Sequence, residues 1–130
     1  MRKSILAIFL TLGAAFSSEV RASVTNGNRL LAACNLVIRM TDDGVGPSAI
    51  GSFEAGYCLG QMRGITAFNM VYQIKDRGNA LFCAPTDMSM GQAARIVVKY
   101  LRDNPSELHR PDSLVAIEAF INEYPCTDER

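Results

Sequence analysis

Four cysteines constrain this chain more than any other feature: Cys34, Cys58, Cys83 and Cys126, spread through 130 residues. An even set behind an export signal reads as two disulfides. Thiols oxidise outside the cytosol, and small exported domains use bridges where a core alone is thin. The signal is short. Arg2 and Lys3 precede an apolar run from Ile5 to Phe16, and Val20-Arg21-Ala22 supplies small residues for a signal peptidase. That run is too short to span a bilayer comfortably, and no stop-transfer segment follows it. The chain therefore divides into a signal peptide, 1–22, and a mature domain, 23–130. A second reading makes Leu31-Ala32-Ala33-Cys34 a lipoprotein cleavage box. Glu19, Arg21 and Arg29 separate it from the apolar run, at whose end such a box normally sits.

The mature domain keeps 10 basic and 12 acidic residues, a formal charge of −2. With no basic stripe, nucleic acid is not an expected partner. Its 108 residues suffice for one small core, at a size where covalent staples help. Repeats and low-complexity tracts are absent from the sequence.

Helical periodicity runs through most of it. Asn28 is a good N-cap, and Leu30, Leu31, Cys34, Val37 and Ile38 follow on one helical face. Turn chemistry over Thr41-Asp42-Asp43-Gly44-Val45-Gly46-Pro47 ends this helix, without the ligand spacing of a calcium loop. A long second helix starts at Ser48 or Ser52 and runs to about Tyr72, carrying Gly56, Gly60 and Gly64 at intervals of four. Each interior glycine costs about 1 kcal/mol against alanine, so three on one ridge call for compensation by close packing. Packing inside the monomer is the first expectation and a self-association face the second. A polar loop, Gln73 to Asn79, leads to Leu81-Phe82-Cys83. Ser89 with Gln92 forms a capping box for a third helix, whose apolar face is Ala93, Ile96, Val97, Tyr100 and Leu101 and which stops at Asn104-Pro105. The fourth begins near Pro111, with Asp112 in its positive first turn. Leu114, Ile117, Phe120, Ile121 and Tyr124 are its expected inner face. The fold class is all-α: a small four-helix domain stapled by two disulfides.

Four cysteines permit three connectivities. The third and fourth helices are each on the order of 20 Å long at 1.5 Å per residue, and a short loop makes them antiparallel. Cys83 then lies beside Cys126, and pairing of the first two helices brings Cys34 towards Cys58. That connectivity is the one expected here.

Signs of catalysis are few. His109 is the only histidine, in a loop without an activated-nucleophile motif. A hidden hydrolase would have to use it. No His/Cys/Asp/Glu set has zinc spacing, and the glycines lie within a helix and not in a phosphate-binding loop. Glu54, Glu107, Glu118 and Glu123 do not mark a glycosidase pair. Met40, Met62, Met70, Met88 and Met90 serve either as core fillers or as an adaptable surface. We expect no enzyme, no cofactor and no metal.

These residues carry a resemblance. Gly56-Tyr57-Cys58-x-Gly60-x-x-x-Gly64, Cys83-x-Pro85, Gln92, Tyr100-Leu101 with Asn104-Pro105, Leu114-Val115 and Pro125-Cys126 resemble the Rap/Tai family, immunity proteins against type VI secretion amidase effectors. That family usually closes on Phe-Pro-Cys, where this chain has Tyr124, and favours leucine at the position of Phe120. The resemblance implies a helical, disulfide-stabilised periplasmic protein, commonly a homodimer, with no membrane attachment after signal cleavage. Such a protein occludes a secreted peptidoglycan amidase without chemistry of its own. Under this reading the first candidate binding surface is Lys75, Asp76, Arg77 and Asn79. The second is the loop Ser106 to Arg110, with Glu107, His109 and Arg110. Motifs built of cysteines, glycines and caps report a scaffold, so an orphan periplasmic binding or envelope-maintenance protein is the alternative, and an acid-stress chaperone a further one.

Overall fold

A computed structural model describes residues 25–126 except Val45 and Pro47, and leaves the side chains of Ala49, Ile50 and Arg77 undescribed. The signal peptide expected over 1–22 lies outside the described residues. Four helices follow in order: α1 Gly27–Asp43, α2 Ala49–Lys75, α3 Met90–Asp103 and α4 Asp112–Glu123. Short 3-10 turns at Arg77–Asn79 and Pro105–Glu107 complete the described secondary structure. α1 packs against α2 and α3, and α3 lies against α4.

Both disulfides have the expected connectivity. Cys34–Cys58 joins α1 to α2 with 5.2 Å between Cα atoms, and both cysteines are buried. Cys83–Cys126 ties the segment before α3 to the end of α4, with 4.9 Å between Cα atoms. The enclosed separations, 24 and 43 residues, correspond to about 3.5 and 4 kcal/mol by restriction of the unfolded chain.

The start of α1 differs from the sequence reading. Asn26 is the N-cap, its side chain accepting from Arg29 N, so Asn28 lies one residue inside the helix. The cause is tertiary. The first free donors of the helix, Gly27 N and Asn28 N, bond the carbonyls of Arg110 and Leu108, each at 3.0 Å. A helix N-terminus leaves such donors unpaired, and here the turn before α4 supplies acceptors. Glycine eases this contact, because a Cβ at position 27 would lie 3.0 Å from Leu108 Cα and 3.1 Å from Leu108 O, and the turn would have to give. At the other end, Gly44 closes α1 in the left-handed conformation, φ 63°.

α2 starts at Ser48, whose hydroxyl accepts from Gly51 N at 3.2 Å. It continues to Lys75, absorbing Gln73, Ile74 and Lys75 from the expected polar loop. Its glycine ridge corrects an expectation: a Cβ added at Gly56, Gly60 or Gly64 would meet nothing within 4 Å. Among the described residues nothing packs on the ridge, because the core side of α2 is Ala55, Cys58, Met62 and Asn69.

Ser89 caps α3 by accepting from Gln92 N, but the Gln92 amide does not return the bond. It donates to the Tyr124 hydroxyl at 3.2 Å, so only half of the capping box forms. α4 is rotated from the expected face. Val115, Ala116, Ala119 and Phe120 are buried, whereas Leu114 and Ile121 are exposed. Two alanines let α4 sit close to its neighbours, and Phe120 stacks on Phe82 with ring centroids 4.9 Å apart.

Gly27→Ala should destabilise the domain by about 1–3 kcal/mol, since its new methyl meets backbone that must shift. Gly60→Ala should be neutral or slightly stabilising in the monomer. Denaturant titration of both variants checks this contrast.

Candidate partner-binding site

Residues of the first candidate surface stand at the end of α2. Asp76 is the C-cap, its N–H bonding Tyr72 O, and its side chain accepts from the Asn79 amide. Asn79 N also bonds Asp76 O at 3.0 Å. Asp76 and Asn79 therefore build the turn. Lys75 is exposed and belongs to no ion pair among the described residues. The Arg77 side chain lies outside the description.

Two polar side chains that the sequence reading missed anchor the segment that follows. Asn69 is buried in α2. Its amide donates to Phe82 O at 2.7 Å, and its carbonyl accepts from Leu81 N at 2.8 Å. One turn on, Gln73 donates to Ala84 O at 3.2 Å. Cys83 N bonds Tyr124 O at 2.8 Å. An extended segment has no internal ladder, so its backbone groups need partners from outside. No motif marks Asn69; its only sequence signal is a polar residue on the apolar side of a helix.

Beside this segment is an open groove of about 350 Å³, lined by Met70, Met88, Met90, Phe82, Arg63 and neighbouring residues. Three of the five methionines thus meet at a surface, while Met62 is wholly buried. Exposed Ile74 and Leu81 flank the same end of the molecule.

The second candidate loop is used differently. Arg110 makes a bidentate pair with Glu118, at 2.7 and 2.6 Å, and a further bond to Glu107. Its already high pKa is pushed higher by the hydrogen bonds it donates to Glu118 first and Glu107 second. Leu108 and Arg110 also lend their carbonyls to α1. Glu107 and Arg110 thus clamp the turn to α4, leaving His109 exposed and without a side-chain hydrogen bond to any described residue.

The structure does not bring the two candidate loops together. Ala80 lies near Cys126, beyond the C-terminus of α4, whereas residues 105–111 precede its N-terminus. Twelve helical residues, about 18 Å of rise, lie between.

Asp112, expected in the first turn of the fourth helix, sits at that far end and is buried in a polar cluster that the sequence reading did not foresee. Its Oδ2 accepts from the Thr25 hydroxyl, the Tyr57 hydroxyl and, at 2.8 Å, the Gln61 amide; its Oδ1 accepts from Ser113 N at 2.7 Å. Burial alone would raise its pKa. The bonds from Thr25, Tyr57, Ser113 N and Gln61 outweigh that effect and leave it below the ordinary carboxylate value. Burial, then the bond to Asp112, pushes the Tyr57 hydroxyl up. Arg29 covers the Tyr57 ring at 4.6 Å and pairs with Glu54 at 3.2 Å. Tyr57 of the Gly56-Tyr57-Cys58 motif thus belongs to this cluster.

A family model described as Rap1a immunity proteins matches residues 26–126, from the N-cap of α1 to the last cysteine. The chain belongs to this family. No curated protein and no solved structure matches the chain. Both departures from the family pattern have packing partners: Tyr124 receives the Gln92 amide, and Phe120 stacks on Phe82.

Two predictions follow from the buried polar groups. Asn69→Leu should cost roughly 2–3 kcal/mol, because the Leu81 and Phe82 backbone loses its partners. Proteolysis between Ala80 and Met90 should then accelerate. The lowered Asp112 value means that its stabilisation is present above the unfolded carboxylate pKa, near 3.9, and is lost as pH falls through the folded value. Thermal unfolding should therefore show a loss below about pH 4, and Asp112→Asn should shrink that loss while lowering stability at pH 7.

Proposed function

We propose that this protein is a periplasmic immunity protein that binds a type VI secreted peptidoglycan amidase and blocks its cleft. Membership of the Rap1a immunity family carries the reading, since an immunity protein implies a secreted effector as partner. The geometry supports inhibition by occlusion. A disulfide within the α1–α2 pair, a second tying the segment before α3 to the end of α4, and an anchored 81–84 segment present one surface in a single conformation. A preorganised binder loses less entropy on docking. Inhibition of this kind needs no reacting group, so the chain acts without catalysis. Its site of action is the periplasm, reached through the signal peptide. Homodimerisation belongs to the same reading.

The end of α2 supports partner binding better than the 105–111 turn does. Lys75 pairs with none of the described residues there, and the methionine-lined groove lies alongside. Glu107 and Arg110 are already engaged with each other and with Glu118. We therefore assign Lys75 and Arg77 to contact and Asp76 and Asn79 to shaping the turn. His109 is left as a peripheral contact. An amidase cleft that admits peptidoglycan peptides offers backbone carbonyls and carboxylates to such cations.

The test is to titrate the oxidised mature domain into a secreted cysteine-histidine amidase encoded beside it and to follow release of muropeptides. Stoichiometric loss of cleavage supports the reading. Full activity with every neighbouring amidase rejects it in favour of an orphan periplasmic binding protein. Lys75→Glu combined with Arg77→Glu should weaken inhibition by at least about 30-fold, the effect of opposed charges at an interface worth roughly 2 kcal/mol. Helicity by circular dichroism should not change.

A further inference from the structure

The two bridges differ in where the sequence puts them. Cys34 and Cys58 lie within α1 and α2, and both are wholly buried at 0% exposure. Cys83 and Cys126 lie in non-helical backbone close to prolines, in Cys83-Ala84-Pro85 and Pro125-Cys126. Cys126 is exposed and Cys83 half-buried. A thiolate opens a disulfide by striking one of its sulfurs, so access governs the rate, and exposed bridges are the labile ones. Loop length does not separate the two, because the folded protein already holds the paired Cα atoms 5.2 and 4.9 Å apart. All four cysteines of the chain are bridged, so an attacking thiol has to come from outside.

The segment at the outer bridge is also held without it. Asn69 keeps Leu81 N and Phe82 O, Gln73 keeps Ala84 O, and Phe82 is stacked on Phe120 in the core. None of these contacts runs through a sulfur. The bridge adds a tie from Cys83 to the chain leaving α4, beside one backbone bond from Cys83 N to Tyr124 O at 2.8 Å. Beyond it, Pro85 to Met88 carry a single backbone bond among the described residues, Met88 N to Pro85 O at 3.3 Å.

We propose that the Cys83–Cys126 bridge is a redox clasp, opened by an external thiol at Cys126 while Cys34–Cys58 keeps the helices together. The incoming thiolate bonds Cys126 Sγ as the bond between the two sulfurs breaks. The electron pair leaves on Cys83 Sγ, which takes a proton from water. A second thiolate then attacks the outer sulfur of the mixed disulfide and releases Cys126, protonated in the same way. Two external thiols are thereby oxidised to one disulfide, and the bridge is reduced by two electrons. Opening frees Pro125-Cys126 and leaves Pro85 to Met88 suspended between the Gln73 anchor and the α3 cap. Those residues form one wall of the methionine-lined groove, so the redox state sets how ordered that wall is. The clasp acts on the wall whatever docks there, and the inference stands apart from the amidase reading.

The test is to incubate the oxidised protein with glutathione, trap free thiols with N-ethylmaleimide and map the products by peptide mass spectrometry. Cys83 and Cys126 should react at least about 100-fold faster than Cys34 and Cys58, since a buried bridge is reached only when the helices open. The first product should carry glutathione on Cys126 and maleimide on Cys83. Equal rates, or earlier loss of Cys34–Cys58, overturn the proposal, and glutathione on Cys83 overturns Cys126 as the point of attack. A parallel arm with a dithiol oxidoreductase separates the sources. Opening by glutathione assigns the clasp to small thiols, opening by the enzyme alone assigns it to the oxidoreductase, and a bridge inert to both sinks the idea. Cys83→Ser combined with Cys126→Ser mimics the open clasp. It should keep its helicity at room temperature with the inner bridge closed. Amide exchange should rise about tenfold or more at position 83 and at Met88, with Leu81, held by Asn69, unchanged. Loss of helicity in that variant would make the bridge a requirement of the fold and overturn the clasp.

Discussion

The Asp112 carboxylate holds together three segments that are remote in sequence. Thr25 reaches it from the approach to α1, Tyr57 and Gln61 from α2, and Ser113 from its own helix. A buried charge is costly unless its lone pairs are occupied, and here four donors occupy them. The same corner contains the Leu108 and Arg110 carbonyls that cap α1, with Gly27 permitting the contact. The N-termini of α1 and α4 are therefore positioned by polar contacts of definite geometry. The Cys34–Cys58 bridge then holds α1 against the middle of α2.

From that corner the molecule develops a division of labour. One end, around residues 105–112, is occupied with internal bonds: Arg110 with Glu107 and Glu118, and backbone with backbone. The opposite end, around Lys75 and residues 81–90, is anchored from beneath by Asn69 and Gln73 yet keeps an open groove and a cation that pairs with none of the described residues. Anchoring from beneath leaves the outer surface free while keeping its shape. That combination suits a binder better than a flexible loop, which would have to be ordered on docking.

Much of the fold was legible in the residues because helices declare themselves by period and caps. Ser48, Ser89 and the stop at Asn104-Pro105 act as their chemistry predicts, and helix lengths with antiparallel packing pointed to the cysteine pairing that is found. Misreadings came where tertiary partners decide. Asn28 looks as good a cap as Asn26 until the Leu108 and Arg110 carbonyls are seen beyond it. Leu114 and Ile121 look more apolar than Ala116 and Ala119, but the small pair gives the closer approach and wins the inner face. Gly56, Gly60 and Gly64 have the spacing of a packed ridge, and periodicity carries no sign of which side faces solvent. As for the candidate site, the sequence located its turn but not Asn69 beneath it, since one buried amide leaves no pattern. His109 drew notice only for being the single histidine.

Restriction of the unfolded chain by both bridges amounts to roughly 7 kcal/mol. That is comparable to the entire stability of a small domain. Before oxidation the polypeptide therefore has little thermodynamic reason to close. Oxidation then acts as a timer: the placing of α1 on α2, and of the segment before α3 on the end of α4, is withheld until both bridges have closed.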